Sequence, residues 1–159
     1  MFVVKRFSVQ DQSLAEHAFA IRNEVFVQEQ GIAAALEYDR EAEAHHYLLF
    51  LGDQALATAR WRATEKGIKL ERFAVRQPFR NKGIGAILLK EILPDVSALG
   101  IMIYLHAQLR SVTFYERNGF SKVGNQFSEA GIAHFMMQYP ATAKCGEAVA
   151  CLKDKSPAS

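Results

Sequence analysis

Cysteine is almost missing from this chain: two occur in 159 residues, Cys145 and Cys151, both near the C-terminus. A bridge between them would staple only the tail. A disulfide framework is therefore excluded, and free thiols in a reducing cytoplasm are expected. Proline is scarce as well, at four, and tryptophan occurs once. No apolar run approaches the ~20 residues that cross a bilayer, so no membrane partner is expected. Met1 to Gln10 holds Lys5 and Arg6 inside its apolar stretch and lacks a small-residue cleavage site, unlike a signal peptide. An excess of either charge is also lacking, since 19 basic against 17 acidic residues leave a net +2. That balance argues against nucleic acid, whose partners carry a strongly basic face. What the chain does have is a core: half of its residues are hydrophobic and 23% are charged. It can bury that core without disulfide or metal. Residues 1–140 are expected to form one domain, and 141–159 a mobile tail.

Phe2 to Phe7 predicts a first strand. Asp11 or Ser13 caps a helix whose apolar positions Leu14, Ala18, Ile21, Val25 and Phe26 recur at helical spacing, with Gly31 after it. Glu29 to Glu43 holds five acidic residues against Arg40 alone. This stretch is expected to be a lid or substrate-side loop, whose charge would suit a cationic acceptor. His46–Leu51, Gln54–Ala63 and Ile68–Val75 predict three successive antiparallel strands, with turns at Gly52-Asp53 and Lys66-Gly67. Ile84, Ile87, Leu88 and Ile92 then define one face of a helix that Pro94 should stop or kink. Ile101 to Ala107 predicts a buried strand. Ser111 or Arg110 opens a short helix closed by Gly119, and Phe120–Val123 and Ile132–Tyr139 are the last strands. His45 and His46 point to opposite faces of a strand, so no metal site is expected. Trp61 is either a sheet aromatic or a wall of an acceptor pocket.

The run Arg80-Asn81-Lys82-Gly83-Ile84-Gly85 lies between a strand and a helix. The first four amides of a helix lack intrahelical acceptors, and the helix dipole adds about half a positive charge there. A phosphate satisfies both, glycines let backbone approach it, and Arg80 and Lys82 add formal charge. A Walker A loop does not fit, because Lys82 precedes Gly83 and Ala86 places no magnesium-binding hydroxyl. A dinucleotide fingerprint does not fit either, because Leu88 stands where a third small residue is needed.

Leu70 to Val75 followed by Arg80 to Gly85 closely resembles the central motif of the GNAT acetyltransferase superfamily: Arg or Gln, two residues, Gly, one residue, Gly or Ala. Tyr104-Leu105-His106-Ala107-Gln108 with Ser111 to Phe120 is similar to its fifth strand and following helix. Arg22 to Gln30 is similar to the first helix of the ElaA-like branch. The resemblance covers about Met1 to Pro140. It implies an α/β (α+β) fold with a mixed, mostly antiparallel sheet of six to seven strands, splayed in the middle and flanked by about four helices. It implies acetyl-CoA as co-substrate and direct attack of a primary amine, on a small molecule or a protein, in a ternary complex. The implied cofactor residues are Phe73, Ala74 and Val75 for the pantetheine arm, and Arg80, Asn81, Lys82, Gly83, Ile84, Gly85 and Ala86 for the pyrophosphate. Gln108, Ser111, Phe114 and Tyr115 complete the set.

Transfer needs a neutral amine, a stabilised oxyanion and a protonated leaving thiolate. By resemblance Tyr115 is the acid; otherwise it is an aromatic packed beside Phe114. Glu71 and His106 are the candidate bases. Two-residue alternation places Glu71 on the face of Phe73 and Val75. Its alternative is a salt bridge with Arg62 or Arg72, and that of His106 is a hydrogen-bonded core histidine. Acyl-CoA binding without catalysis remains a competing function, as does binding of another nucleotide. The edge strands of such a sheet are compatible with a homodimer.

Overall fold

The computed structural model describes residues 1–139; the expected tail and both cysteines lie outside the described residues. Within them are seven strands and four α-helices in a mixed α/β arrangement with antiparallel pairings. Two compact units are distinguished: Met1–Ala63 with Lys69–Leu93, and Thr64–Ile68 with the chain from Pro94 onward.

Strands β1 (Phe2–Phe7), β2 (His45–Leu51), β3 (Gln54–Thr64) and β4 (Gly67–Val75) follow in sheet order and lie in the first unit except for Thr64–Ile68, the end of β3 and the start of β4. Asp11 caps helix α1 (Gln12–Arg22), its carboxylate accepting from the Leu14 amide at 3.3 Å. The helix then widens into a π-helical stretch, Asn23–Glu29. Gly31 closes it with positive φ, its amide bonded to the Val27 carbonyl. Ala18, Ile21, Val25 and Phe26 face Leu48, Phe50, Ala55 and Ala74, forming one apolar cluster. Leu48 and Leu49 are fully buried, and burial of one such side chain stabilises by about 1.5–3 kcal/mol.

Helix α3 (Ile84–Ser97) carries Ile84, Leu88, Leu89 and Ile92 inward. It is not stopped at Pro94. The missing amide would have bonded the carbonyl of Lys90, and both residues are exposed, so the lost bond lies on the solvent side of the helix.

The second unit orders its strands β5 (Ile103–Gln108), β7 (Ile132–Tyr139), β6 (Ser121–Glu129), with β7 antiparallel to both neighbours. Helix α4 (Val112–Arg117) follows β5 through a 3₁₀ turn and ends at Asn118 and Gly119. Strand β6 runs well past Val123. Gly124, with positive φ, marks a register shift between Val123 and Phe127 instead of the strand's end. Gly67 also has positive φ, and a Cβ there would collide with the Met102 carbonyl oxygen. The substitution Gly67→Ala is expected to cost on the order of 1–3 kcal/mol in urea unfolding.

Candidate active site

The anion loop belongs to the first unit. Asn81 and Gly83 adopt left-handed φ of 61° and 77°, which turns the chain from a 3₁₀ turn (Gln77–Phe79) into α3. A Cβ at Gly83 would meet nothing, so the torsion and not crowding calls for glycine there. The Ile87 amide bonds the Gly83 carbonyl, which makes Gly83 the cap and leaves the amides of Ile84, Gly85 and Ala86 without helical acceptors. The side chain of Ile84 is core. Arg80 is held beside the loop: its Nε donates to the Val75 carbonyl at 2.8 Å, and Nη2 donates to both Glu29 oxygens at 2.8 and 3.1 Å. Its Nη1 has no partner among the described residues. Lys82 is exposed.

Strand β4 departs from simple alternation. Arg72 sits at φ 51° inside the strand. Ala74, not Phe73, therefore packs with Leu48 and Phe50. Glu71 pairs with Arg60, the cross-strand neighbour of His46, on that same side. Glu71 thus shares a face with Ala74 and not with Phe73 and Val75. The methyl of Ala74 is core, so only its backbone is available to a ligand. The Val75 carbonyl is already engaged by Arg80.

Glu71 is 4% exposed and contacts three cations: Arg60 at 2.7 Å, Arg62 at 3.1 Å and Lys69 at 3.3 Å. Burial alone would raise its carboxyl, but the charges of Arg60, Lys69, Arg72 and Arg62 outweigh that and hold it below the usual carboxylate range. Such a group is a weak base. The acidic stretch meets a similar environment and is not an open charged lid. Glu37, in the short helix α2 (Ala34–Glu37), lies 2.6 Å from the buried Arg22 and 3.0 Å from Arg72. Burial still pushes its carboxyl up against those two guanidiniums. Glu41 bonds Arg22 and Arg60, and Asp39 bonds Arg60 and Arg72. With these carboxylates neutralised from within, the stretch no longer points to a cationic acceptor.

Buried His46 stacks on Phe7 and donates from Nε2 to the Glu41 carbonyl at 3.2 Å. Burial lowers its pKa below the ordinary histidine value. His46 and Glu71 both bind fewer protons folded than unfolded between their folded and unfolded values. Their contribution is lost as pH drops, first below about 6.5 as His46 is forced to charge and again below about 4.5 as Glu71 protonates, while Glu37, raised in the fold, works in the opposite sense. Urea midpoints between pH 7.5 and 4 for the wild type and His46→Phe check this: the step near about 6.5 should vanish in the variant, and identical profiles would contradict it. Trp61 stacks on His45 at 3.9 Å and donates to the Tyr47 hydroxyl, as a sheet aromatic does. Among the described residues no cluster could hold a metal ion. No helix among them is long and apolar enough to cross a membrane.

The second unit carries the remaining candidates. Tyr115 is buried, edge-on to Phe114 at 5.0 Å and to Phe120 at 5.7 Å. Burial pushes its phenol well above the ordinary tyrosine pKa, so it stays protonated. Ser111 occupies the N-cap of α4 without capping through its side chain, and Gln108 ends β5. His106 bonds Glu129, with Phe127 against its ring. Arg22, which the sequence leaves either facing an acceptor site or pairing with charged neighbours, is paired with Glu37 and Glu41. Arg60, Glu129 and His134 escaped the sequence analysis. Only Arg60, alternating with Thr58 and Arg62 in a strand, carried a signal that could have found it.

A glycine-turned helix N-terminus with a fixed arginine beside it offers free amides and positive charge at one place. Residues 8–140 match the family model of the acetyltransferase (GNAT) domain, and the chain belongs to that family. It is 33% identical over 139 residues to the uncharacterized N-acetyltransferase YjcF of Bacillus subtilis (strain 168), covering 84% of this chain and 98% of that protein. The crystal structure of an acyl-CoA N-acyltransferase from Pseudomonas aeruginosa superposes with a TM-score of 0.77 at 25% identity, covering 88% of this chain and all of the other. Escherichia coli ElaA shares the fold, with a TM-score of 0.78 at 22% identity over 87% of this chain and 99% of that one.

Proposed function

We propose that this protein is a cytoplasmic N-acetyltransferase that transfers acetyl from acetyl-CoA to a primary amine by direct attack in a ternary complex. The observation that carries the reading is the loop Arg80–Ala86. Its free helix amides, the Arg80 guanidinium and Lys82 together suit a pyrophosphate. Acetyl-CoA supplies the acetyl thioester. The chain's own groups have three tasks: to hold the diphosphate at this loop, to take a proton from the amine, and to give one to the leaving sulfur. Tyr115 is the proposed donor to sulfur, because its phenol is neutral and lies on the helix that follows β5. Glu71 and His106 are the candidate acceptors of the amine proton. The acceptor is a small-molecule or protein amine, and the scarcity of cysteine supports a reducing compartment.

A panel of amines, spanning polyamines, aminoglycosides, amino acids and lysine peptides, tests the reading by CoA release. Acetyl-CoA-dependent thiol release with at least one amine is expected. Binding of acetyl-CoA with no release from any amine would leave a CoA-binding module in place of an enzyme.

A further inference from the structure

Two histidines of the second unit share one carboxylate. His106 Nδ1 lies 3.0 Å from Glu129 Oε1. An ionised carboxylate only accepts, so Nδ1 carries the proton, and in the neutral ring the lone pair is on Nε2. Nε2 has no hydrogen-bond partner among the described residues, and the ring remains partly exposed. Its plane is held by the edge of Phe127 at 5.0 Å and by Tyr104 at 6.0 Å. The Tyr104 hydroxyl is itself tied to Thr64 at 2.6 Å.

The other Glu129 oxygen faces His134 Nε2 at 3.7 Å, while His134 Nδ1 donates to the Ile132 carbonyl at 2.7 Å. The register of β5, β6 and β7 places Glu129, His134 and Tyr104 as the titratable groups on the same face as His106. Glu71, by comparison, has its carboxylate occupied by three cations.

Resting on the acetyltransferase reading above, we propose that His106 is the general base for the acceptor amine and that Glu129 is the positioning residue that fixes its tautomer. The acceptor ammonium gives one proton to His106 Nε2, which passes it to solvent. The neutral nitrogen attacks the thioester carbon; its C–N bond forms, and the C–S bond breaks with its electron pair leaving on sulfur. The sulfur takes a proton from Tyr115, and the second proton lost by the nitrogen restores the phenol. The products are the N-acetyl amine and free CoA thiol.

Two readouts on the full-length protein test this. In substrate-free protein labelled at the imidazole nitrogens, NMR should show His106 as the Nδ1–H tautomer. The substitution Glu129→Gln keeps an oxygen acceptor and should keep that tautomer, whereas Glu129→Ala removes the acceptor and should let both neutral tautomers appear. The kcat for CoA release should fall about tenfold in Glu129→Ala and be largely restored in Glu129→Gln. His106→Gln should lower kcat by about 10²-fold while leaving acetyl-CoA affinity in place. An Nε2–H tautomer in the wild-type protein, or an unchanged tautomer in Glu129→Ala, overturns the dyad. Wild-type kcat in His106→Gln overturns the base role while leaving the acetyltransferase reading standing. No CoA release by wild-type protein with any amine removes the reading on which the proposal rests.

Discussion

The substitution Tyr115→Phe is expected to lower kcat by roughly 10²- to 10⁴-fold, the range that a positioned acid supplies, while acetyl-CoA affinity stays nearly unchanged. The ring is buried edge-on between Phe114 and Phe120, and phenylalanine keeps both contacts, so the fold should survive. On the proposed role, what disappears is the proton for the departing sulfur. Without it the thiolate must leave as an anion, and the tetrahedral intermediate returns to reactants more often. CoA release under saturating amine, with affinity measured separately, checks both halves. Wild-type kcat in this variant would remove Tyr115 from the chemistry and leave it a packed aromatic.

The second large effect concerns stability. Arg60 is about 1% exposed and joins Glu71, Glu41 and Asp39. The substitution Arg60→Leu leaves the buried Glu71 and the largely buried Glu41 without their shared cation. A loss of roughly 3–5 kcal/mol is expected, as when one partner of a buried pair is removed. The same replacement at the surface pair Arg6–Glu91 should cost no more than about 1 kcal/mol. Chemical unfolding of the two variants separates the cases, and a loss below about 1 kcal/mol for Arg60→Leu would contradict the network's role. The network also braces the segment that holds α2. Arg72, in its left-handed conformation, donates to the Leu36 and Glu37 carbonyls and reaches Asp39. The irregular step in β4 is thereby stitched to the acidic stretch.

These partners explain what was legible in the sequence and what was not. Strand β1, the cap at Asp11, helix α3 and β7 follow from short-range patterns, and each stands where alternation or helical spacing places it. The turn at Asn81 and Gly83 into helix α3 is likewise local, because it needs only glycine torsions and consecutive amides. The face of Glu71 was misjudged because Arg72 takes a left-handed torsion without being glycine, which leaves no mark in composition. The acidic stretch reads as a solvated face only while its partners are unseen. Arg22, Arg60 and Arg72 stand more than a dozen residues from the carboxylates of that stretch, so no short window of sequence contains the pair. Strand β6 was cut short because Gly124 carries the composition of a turn yet is absorbed as a register shift. The Glu129–His106 contact joins strands far apart in sequence and was invisible for the same reason.

The central claim is that the loop Arg80–Ala86 is a coenzyme A site. Calorimetric titration of the protein with acetyl-CoA, ATP and NAD in parallel tests it most directly. Saturable binding of acetyl-CoA, with ATP and NAD much weaker, is the expected result. Preference for ATP or NAD, or no binding of acetyl-CoA at all, would contradict it.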